Sequence, residues 1–329
     1  MKILIDAMGG DNAPGEIVAG AVFAKSELDC ELVLIGDRSQ IEAVAEEREL
    51  SLEGIEIVHT ESVITMEDSP LVIRERLDSS MGIGIEMLKR GEGDALVSAG
   101  NTGALHAGST LFVRRIPGIQ RSAIATILPL AKPTMLIDSG ANATVTAEHL
   151  LQFGVMGSIY MNNIFGIESP EVGLLNIGTE DCKGTQLQQD ANRLLKAAEG
   201  INFIGNIEGR DIPFGKCDVI VTDGFTGNIV LKLIEGCSSY MMKEIKGMFT
   251  KNPMTKLSAA MMSGQLGAFK RKFDSSEYGG APFLGIAKPV IKAHGSSNAK
   301  AIKNAVRQAI SYSETGIIAE IAEQVKTVK

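Results

Sequence analysis

The sequence predicts an α/β fold, a doubly wound and mostly parallel sheet with helices on its faces, formed as one unit over residues 1–329. The first observation is that short apolar runs alternate with longer segments of helical periodicity, which is typical of βαβ units. The second is that five apolar runs lead directly into turns of glycine and small polar residues. Such turns follow the strands that border the ligand crevice of an open parallel sheet. The crossovers are expected to be right-handed.

The predicted elements follow one another along the whole chain. Aliphatic and β-branched runs predict strands at 2–5, 31–36, 55–59, 94–97, 135–137, 172–175 and 219–221. Apolar residues at helical spacing predict helices at 69–90, 103–114, 146–161, 185–198 and 298–313. After the first turn, a further helix presents one buried face made of Ile17, Val18, Ala21, Val22 and Ala24.

The five turns carry the most specific functional signal: residues 6–11, 98–103, 138–142, 176–179 and 222–228. Glycine allows the backbone to approach a ligand closely, and a following helix N-terminus offers unpaired N–H groups to an anion. We expect these turns to share one edge of the sheet and to bind a phosphorylated compound. The candidate substrate-binding residues come from these turns and from a later serine pair: Asp6, Gly9, Gly10, Asp11, Ser98, Gly100, Thr102, Gly103, Asp138, Gly140, Asn142, Asn176, Gly178, Asp223, Gly224, Thr226, Gly227, Asn228, Ser296 and Ser297.

The charged residues of these turns have alternative interpretations. Each aspartate fits a helix N-cap, or a group that orients a lysine or histidine or holds Mg²⁺. No pair has a diagnostic metal spacing, so no metal and no cofactor is predicted. Lys183 and His294 are candidate contacts for a phosphate or carbonyl group, whereas His59, His106 and His149 are expected to be structural.

Familiar catalytic motifs are absent from the sequence. It has no G-x-x-x-x-G-K-[ST] phosphate loop and no G-x-S-x-G nucleophile elbow. A partial dinucleotide fingerprint at Gly82 and Gly84 fails at Met87, so we interpret it as part of a helix. The segment 279–285 is interpreted as a tight loop, either a packing turn or a wall of an acyl channel.

Composition excludes several functional classes. The net charge is −8, tryptophan is absent and aromatic residues make up 5% of the chain, which disfavours nucleic-acid binding. The four cysteines form no CxxC motif and indicate reduced thiols in the cytoplasm. We see no signal peptide and no apolar run long enough to span a membrane.

Residues 228–273 differ from the rest and predict a helical hairpin that is interrupted at Asn252–Pro253. The hairpin holds eight basic and two acidic residues, a net charge of +6, in a chain of net charge −8. Each arm carries one apolar stripe, formed by Val230, Leu233, Cys237, Met241, Ile245 and Met248 in the first arm and by Met262, Leu266, Phe269 and Phe273 in the second. The stripes fit burial against each other or against a second subunit.

The tip of the hairpin suits a different partner. Met254, Leu257 and Met261 share one helical face beside Lys251 and Lys256. An apolar face flanked by lysines is typical of a segment that rests on an anionic membrane. We therefore predict membrane contact at these three residues.

Taken in order, the motifs resemble those of the PlsX-type acyl-acyl-carrier-protein:phosphate acyltransferases of bacterial phospholipid synthesis. The resemblance extends over nearly the whole chain and rests on residues 6–11, 98–104, 138–142, 176–178, 222–228 and 279–281. It implies a fold like that of the isocitrate and isopropylmalate dehydrogenases and the phosphate acetyltransferases, and it implies a homodimer. It also implies transfer of a long acyl chain from acyl carrier protein to inorganic phosphate. The acyl phosphate would pass to a membrane glycerol-3-phosphate acyltransferase, which implies a cytoplasmic protein associated peripherally with the inner face of the cell membrane.

Phosphate would itself be the nucleophile in this reaction, so no serine or cysteine nucleophile is required. We expect the backbone of 100–103, with Asn101, Thr102 and Asn142, to hold phosphate beside the thioester. Lys183 or His294 would balance the charge of the tetrahedral intermediate, so the predicted catalytic residues are Lys183, His294 and Asn101. The basic hairpin at 228–273 fits an acidic carrier protein as well as an anionic membrane, and both partners stay open for its tip. Three alternative functions remain open: an NAD-dependent dehydrogenase, an acetyl-CoA:phosphate acetyltransferase, and a membrane scaffold without catalytic activity.

Overall fold

The computed structural model describes residues 1–272 and 275–327. Within these residues the strands are β1 (Lys2–Asp6), β2 (Glu31–Gly36), β3 (Ile55–His59), β4 (Ala95–Ser98), β5 (Ala123–Pro129), β6 (Pro133–Ile137), β7 (Glu171–Asn176), β8 (Asn202–Glu208), β9 (Val219–Val221), β10 (Gly280–Leu284) and β11 (Val290–Ala293). The α-helices are α1 (Gly15–Glu27), α2 (Arg38–Glu47), α3 (Ser80–Arg90), α4 (Thr102–Gly108), α5 (Ala147–Phe165), α6 (Gln186–Ala197), α7 (Gly224–Thr250), α8 (Pro253–Met261), α9 (Ser263–Lys272), α10 (Ala299–Glu314) and α11 (Ile317–Thr327).

The strands form one sheet in the order β3-β2-β1-β4-β11-β10-β5-β6-β9-β7-β8. Most neighbours are parallel, so the predicted fold class is confirmed. The centre of the sheet departs from this pattern because β10 is antiparallel to both β11 and β5, and β5 is antiparallel to β6. Consequently the half from β3 to β11 and the half from β6 to β8 run in opposite directions.

The reversal corrects the expectation that all five turns share one edge. The turns after β1 and β4 leave the first half, whereas those after β6, β7 and β9 leave the oppositely directed half. The two groups still approach each other at the central strands. Asp11 and Thr102 of the first group line the same cavity as Gly140 and Asn228 of the second.

Both faces of the sheet are covered. In β1, Ile3 and Ile5 pack into a core that includes residues of α1, α5, α10 and α11, while Leu4 packs on the opposite side with residues of α3. All three side chains are fully buried. A strand that is buried on both faces has a continuous apolar sequence, which is the pattern that predicts β1 and its parallel neighbours β2 and β4.

Two predicted segments differ from the observed structure. The helix expected at 69–90 is divided into a 3₁₀ helix at Pro70–Arg74 and α3, because the Ser79 hydroxyl accepts a hydrogen bond from the Gly82 N–H at 3.1 Å and begins a new helix. The loop expected at 279–285 is largely strand β10. Its main chain pairs with β11 and β5, which its glycines and proline did not indicate.

The helical segment that begins at residue 228 is interrupted at Asn252–Pro253, as predicted. Helix α7 ends at Thr250, and α8 begins after Asn252, whose side chain accepts a hydrogen bond from the Thr255 N–H at 2.9 Å. Leu233 is 63% exposed and Met241 is 50% exposed, so the second arm does not bury them within one chain. The last residue of the predicted stripe, Phe273, lies outside the described residues.

Candidate active site

A cavity of about 770 Å³ lies at the junction of the two halves of the sheet. Its polar lining residues are Asp11, Thr102, Thr126, Ser139, Asn228, Lys232, Glu235, Ser276, Lys292, His294, Ser296, Ser297 and Asn298. Its apolar and aromatic lining residues are Met66, Ile124, Ile127, Leu231, Tyr278, Ala281 and Ala301. The site therefore combines a charged region with a hydrocarbon wall, which suits a ligand that has one anionic end and one apolar end.

Some of the predicted site residues meet at this cavity. They are Asp11, Thr102, Gly140, Asn228, His294, Ser296 and Ser297. Ala281, from the segment interpreted as a packing turn or a channel wall, also lines the cavity. These residues come from the turns after β1, β4, β6, β9 and β11, so strands from both halves of the sheet contribute.

The turn after β7 does not reach the cavity lining. The Asn176 amide donates a hydrogen bond to the Lys183 carbonyl at 3.2 Å, and Gly178 lies against the Lys183 side chain. The Lys183 ammonium lies 4.0 Å from a Glu180 carboxylate oxygen, and its side chain is 46% exposed. The turn is thus a local structure, and among the described residues Lys183 is not part of the cavity lining that includes His294.

His294 is held by its neighbour Ser296. The Ser296 N–H donates to His294 Nδ1 at 3.2 Å, and the Ser296 hydroxyl lies 2.8 Å from the same atom. Because Nδ1 accepts a hydrogen bond, a neutral imidazole carries its proton on Nε2. Burial and the nearby Lys232 ammonium lower the pKa of His294, which favours this neutral form.

Lys232 approaches His294 from the third turn of α7. Its ammonium lies 3.4 Å from His294 Nε2 and forms a 2.8 Å ion pair with Glu235. The imidazole Nε2–H and the ammonium are both donors, so neither satisfies the other. An oxygen atom of a substrate placed between them would accept from both.

Asn101 has a structural role in this arrangement. Its amide nitrogen donates to the carbonyls of Thr65, Met66 and Asp68 at 3.2, 3.2 and 2.9 Å. Its amide oxygen accepts the Ala104 N–H at 3.0 Å and thereby caps α4. The side chain has no donor left for phosphate, because both amide hydrogens point to main-chain carbonyls.

Asp138 and Asn142 form a second internal network. The Asp138 carboxylate accepts from the Ala141 and Asn142 N–H groups at 2.9 and 2.7 Å. The Asn142 amide donates to Asp138 at 2.8 Å and to the Ser122 carbonyl at 2.7 Å. Asn142 is therefore occupied in the same way as Asn101, and of the three polar side chains expected to hold phosphate only Thr102 lines the cavity.

The other predicted aspartates behave as internal acceptors. Asp6 is buried and accepts the hydroxyls of Ser80 and Ser98 at 2.7 Å each, and burial raises the pKa of its carboxyl. Asp223 caps α7 by accepting the Thr226 N–H at 2.8 Å. The N-cap interpretation holds for Asp223. Asp6 instead links the end of β1 to Ser98 at the end of β4 and to Ser80 at the start of α3.

Several predicted glycines are required for close packing of the chain. A Cβ atom at Gly9 would lie 2.5 Å from an Asp6 carboxylate oxygen, and one at Gly224 would lie 2.7 Å from the Asn142 nitrogen. A Cβ atom at Gly227 would overlap the carbonyl oxygen of Asp138. Likewise, a Cβ atom at Gly100 or Gly103 would crowd the side chain of Met81 or Pro70. These glycines bring neighbouring turns together. Two other predicted glycines, Gly10 and Gly140, have a positive φ, +106° and +147°.

Lys292 is the functional candidate that sequence reasoning missed. It lies in β11, is 7% exposed and lines the cavity. Burial lowers the pKa of its ammonium to about 8, against the opposing charges of Asp6 and Asp11. The available signal was a lysine between Ile291 and Ala293 in an otherwise apolar run, which is unusual for a buried strand.

The chain matches a protein-family model described as "Fatty acid synthesis protein" over residues 1–320. It is 47% identical over 330 residues to the phosphate acyltransferase of Alkaliphilus oremlandii, an alignment that covers 100% of this chain and 98% of that protein. Such identity over the full length of both chains shows the family.

Solved structures show the fold. A phosphotransacetylase from Streptococcus pyogenes superposes with a TM-score of 0.65 at 16% identity, covering 99% of this chain and 94% of that one. A Salmonella typhimurium protein described as a 4-hydroxythreonine-4-phosphate dehydrogenase gives a TM-score of 0.57 at 13% identity, covering 94% and 98%. The predicted likeness to dehydrogenases and phosphate acetyltransferases in fold is thus confirmed. With the full-length sequence match, these findings show that the chain belongs to the fatty acid synthesis protein family, and within it to the phosphate acyltransferases.

Proposed function

We propose that this acyltransferase moves a long-chain fatty acyl group from acyl-acyl carrier protein to inorganic phosphate and releases acyl phosphate. The observation that supports this proposal best is the cavity itself, where Lys232 and His294 face an interior that also contains Ile124, Leu231 and Tyr278. The cationic side fits the charges that develop at phosphate and at a thioester carbonyl. The apolar side fits the first part of a hydrocarbon chain.

In the proposed reaction a phosphate oxygen attacks the thioester carbonyl carbon. A carbon–oxygen bond forms and the carbonyl oxygen becomes an oxyanion, which accepts hydrogen bonds from His294 Nε2–H and the Lys232 ammonium. The intermediate collapses with cleavage of the carbon–sulfur bond, and the proton of hydrogen phosphate ends on the carrier thiol. Atoms and charge balance without a cofactor, and catalysis rests on positioning and charge stabilisation.

Lys183 and Asn101 have no direct part in this proposal. Lys183 lies outside the cavity lining, and the Asn101 amide is bound to main-chain carbonyls. Of the three predicted catalytic residues we retain His294, and we add Lys232 because of its distance to His294.

We also propose that the protein works as a homodimer on the cytoplasmic face of an anionic membrane. The exposed apolar side chains of α7, among them Leu233 and Met248, support contact with a second copy. At the tip, Met254, Leu257 and Met261 are 72%, 59% and 80% exposed, which supports contact with lipid. None of the described helices is both long and apolar enough to cross a bilayer. From the membrane surface, acyl phosphate would pass to a membrane glycerol-3-phosphate acyltransferase.

The deciding experiment uses the purified full-length chain with palmitoyl-acyl carrier protein and inorganic phosphate. We expect phosphate-dependent release of carrier thiol together with acyl phosphate, trapped as a hydroxamate. Parallel reactions contain palmitoyl-CoA or acetyl-CoA. Equal or faster turnover of acetyl-CoA would contradict the long-chain assignment, and thiol release that does not depend on phosphate would contradict phosphate as the acceptor.

A further inference from the structure

We propose that inorganic phosphate is held at the turn between β11 and α10, by the Lys292 ammonium and the Ser297 hydroxyl. This placement rests on the proposed function and replaces the turn at 100–103 as the position of the phosphate. Two independent observations support it, one for each side chain.

The first observation is that Lys292 is a buried cation without a close counter-ion. Its ammonium donates to the carbonyl of Ala99 at 3.0 Å and to the carbonyl of Ala293. Among residues 1–272 and 275–327, no carboxylate lies within 4.0 Å of it. An ammonium has three donors, and carbonyl groups do not neutralise its charge. A buried charge in a cavity wall therefore fits an anion supplied by the substrate.

The second observation concerns Ser297, which is 6% exposed and lines the same cavity. Its hydroxyl is buried and has no hydrogen-bond partner among the described residues. Two other described side chains, Ser109 and Tyr312, share this property, but neither lines the cavity. A buried hydroxyl is normally satisfied, so an unpaired one in a cavity wall indicates a ligand atom at that place.

The placement also fits the proposed attack. The Ser297 N–H donates to the carbonyl of His294 at 3.0 Å, so Ser297 and His294 belong to one tight turn. A phosphate at Lys292 and Ser297 then lies beside the space that His294 and Lys232 share. The thioester carbonyl can occupy that space while a phosphate oxygen approaches its carbon.

The charged groups that face Lys292 give the site a preference among anions. Asp6 engages the hydroxyls of Ser80 and Ser98, whereas the Asp11 carboxylate lines the cavity. The Asp11 N–H donates to the Gly295 carbonyl at 2.8 Å, which keeps this residue against the turn. A carboxylate repels a fully deprotonated anion but accepts a hydrogen bond from the P–OH of hydrogen phosphate. Sulfate has no such proton at neutral pH and is expected to bind poorly.

The test measures binding of inorganic phosphate by the full-length protein in the absence of an acyl donor, by isothermal titration calorimetry. We expect Lys292→Met to raise the phosphate Kd at least about tenfold, and Ser297→Ala by about five- to tenfold, because each removes a positioned donor. Ser109→Ala is the matched control, because it removes a buried, unpaired hydroxyl away from the cavity. The phosphate Kd of this variant should equal that of the wild type. In the transfer assay the phosphate KM should rise while the KM for the acyl donor stays the same.

The outcomes separate this inference from the proposed function. If the wild type binds and consumes phosphate and both variants keep the wild-type Kd, phosphate binds elsewhere and the inference is overturned. If the wild type neither binds nor consumes phosphate, the proposed function itself fails. Should Lys292→Met not fold, Ser297→Ala decides alone, because it removes a single hydroxyl. Asp11→Asn should admit sulfate as a competitor of phosphate, and unchanged exclusion of sulfate would contradict the role of Asp11.

Discussion

The Lys232 ammonium and His294 Nε2 lie 3.4 Å apart, and in the tautomer that the Ser296 N–H favours both are hydrogen-bond donors. Each group is held in place by a neighbour: Glu235 forms an ion pair with Lys232, and the Ser296 N–H donates to His294 Nδ1. Both groups can therefore donate a hydrogen bond to one substrate oxygen atom placed between them. This arrangement identifies the point in the cavity where negative charge is best stabilised.

Replacing Lys232 with methionine should raise the pKa of His294, because the lysine charge is the main electrostatic cause of its lowered value after burial. The change should be measured by NMR titration of the imidazole signals. Turnover should fall by about 10²-fold, as expected for loss of one positioned donor at an oxyanion. Lys243→Met removes an exposed lysine farther along α7 and should change neither quantity. An unchanged His294 titration in Lys232→Met would show that the two groups do not interact in solution.

The pH dependence of kcat/KM for phosphate should report the ionisation of the Lys292 ammonium. This ammonium has a pKa of about 8 in the empty site, where Asp6 and Asp11 favour the charged form and burial and Lys232 oppose it. Since phosphate binds the charged form, kcat/KM for phosphate should fall as the pH rises through about 8. Bound phosphate stabilises the ammonium, so kcat at saturation should fall only at higher pH.

Lys292→Arg provides the control for this pH profile. A guanidinium stays protonated throughout the accessible range, so the alkaline decline of kcat/KM should disappear even if the maximal rate is lower. An identical alkaline decline in Lys292→Arg would assign the titration to another group.

Asn101→Ala should destabilise the protein rather than abolish phosphate binding directly. The change removes the α4 cap and the donor to three carbonyls between Thr65 and Asp68. Loss of a cap alone costs about 0.5–2 kcal/mol. Denaturant unfolding should show this loss, and calorimetry should show a smaller change in phosphate Kd than Ser297→Ala gives. Asp37→Ala, which removes the α2 cap outside the cavity lining, should lower stability without changing kinetics.

Gly227→Ala should lower the free energy of unfolding by roughly 2–3 kcal/mol, because the added methyl group overlaps the Asp138 carbonyl oxygen. Gly236 is the matched control in the same helix, since a Cβ atom there meets nothing within 4 Å. Gly236→Ala should raise stability by about 0.5–1 kcal/mol through helix propensity. Equal thermal midpoints for the two variants would mean that the α7 N-terminus is not tightly packed against Asp138.

Leu257→Glu should weaken binding to vesicles that contain anionic lipid, because it places a charge on the exposed apolar tip. Co-sedimentation with phosphatidylglycerol vesicles measures the effect. Leu71→Glu is the control, since Leu71 is 53% exposed against 59% for Leu257 and lies far from α8 in the chain. Equal sedimentation of Leu257→Glu and the wild type would remove the tip from the membrane contact.

The sequence by itself determined the fold class, the family and the positions of β1 to β4, β6, β7 and β9, because buried parallel strands and glycine turns leave strong local patterns. Strands β5, β8, β10 and β11 were not predicted. It also located the helix break at Asn252–Pro253 and placed His294 among the candidates. All of these leave patterns within short stretches of the sequence. The motif order then sufficed to indicate a phosphate acyltransferase, which the full-length similarity shows.

Only the tertiary structure decided which residues meet. The reversal of strand direction at β10 and β5 depends on pairing between distant segments, and no local pattern encodes it. Likewise, Asn101 and Asn142 have the composition of ligand groups, but their partners at Asp68 and Ser122 lie 33 and 20 residues away. Lys292 became a candidate because folding buries its ammonium in the cavity wall without a close counter-ion. Long-range packing thus separated the groups that stabilise the turns from those that face the substrate.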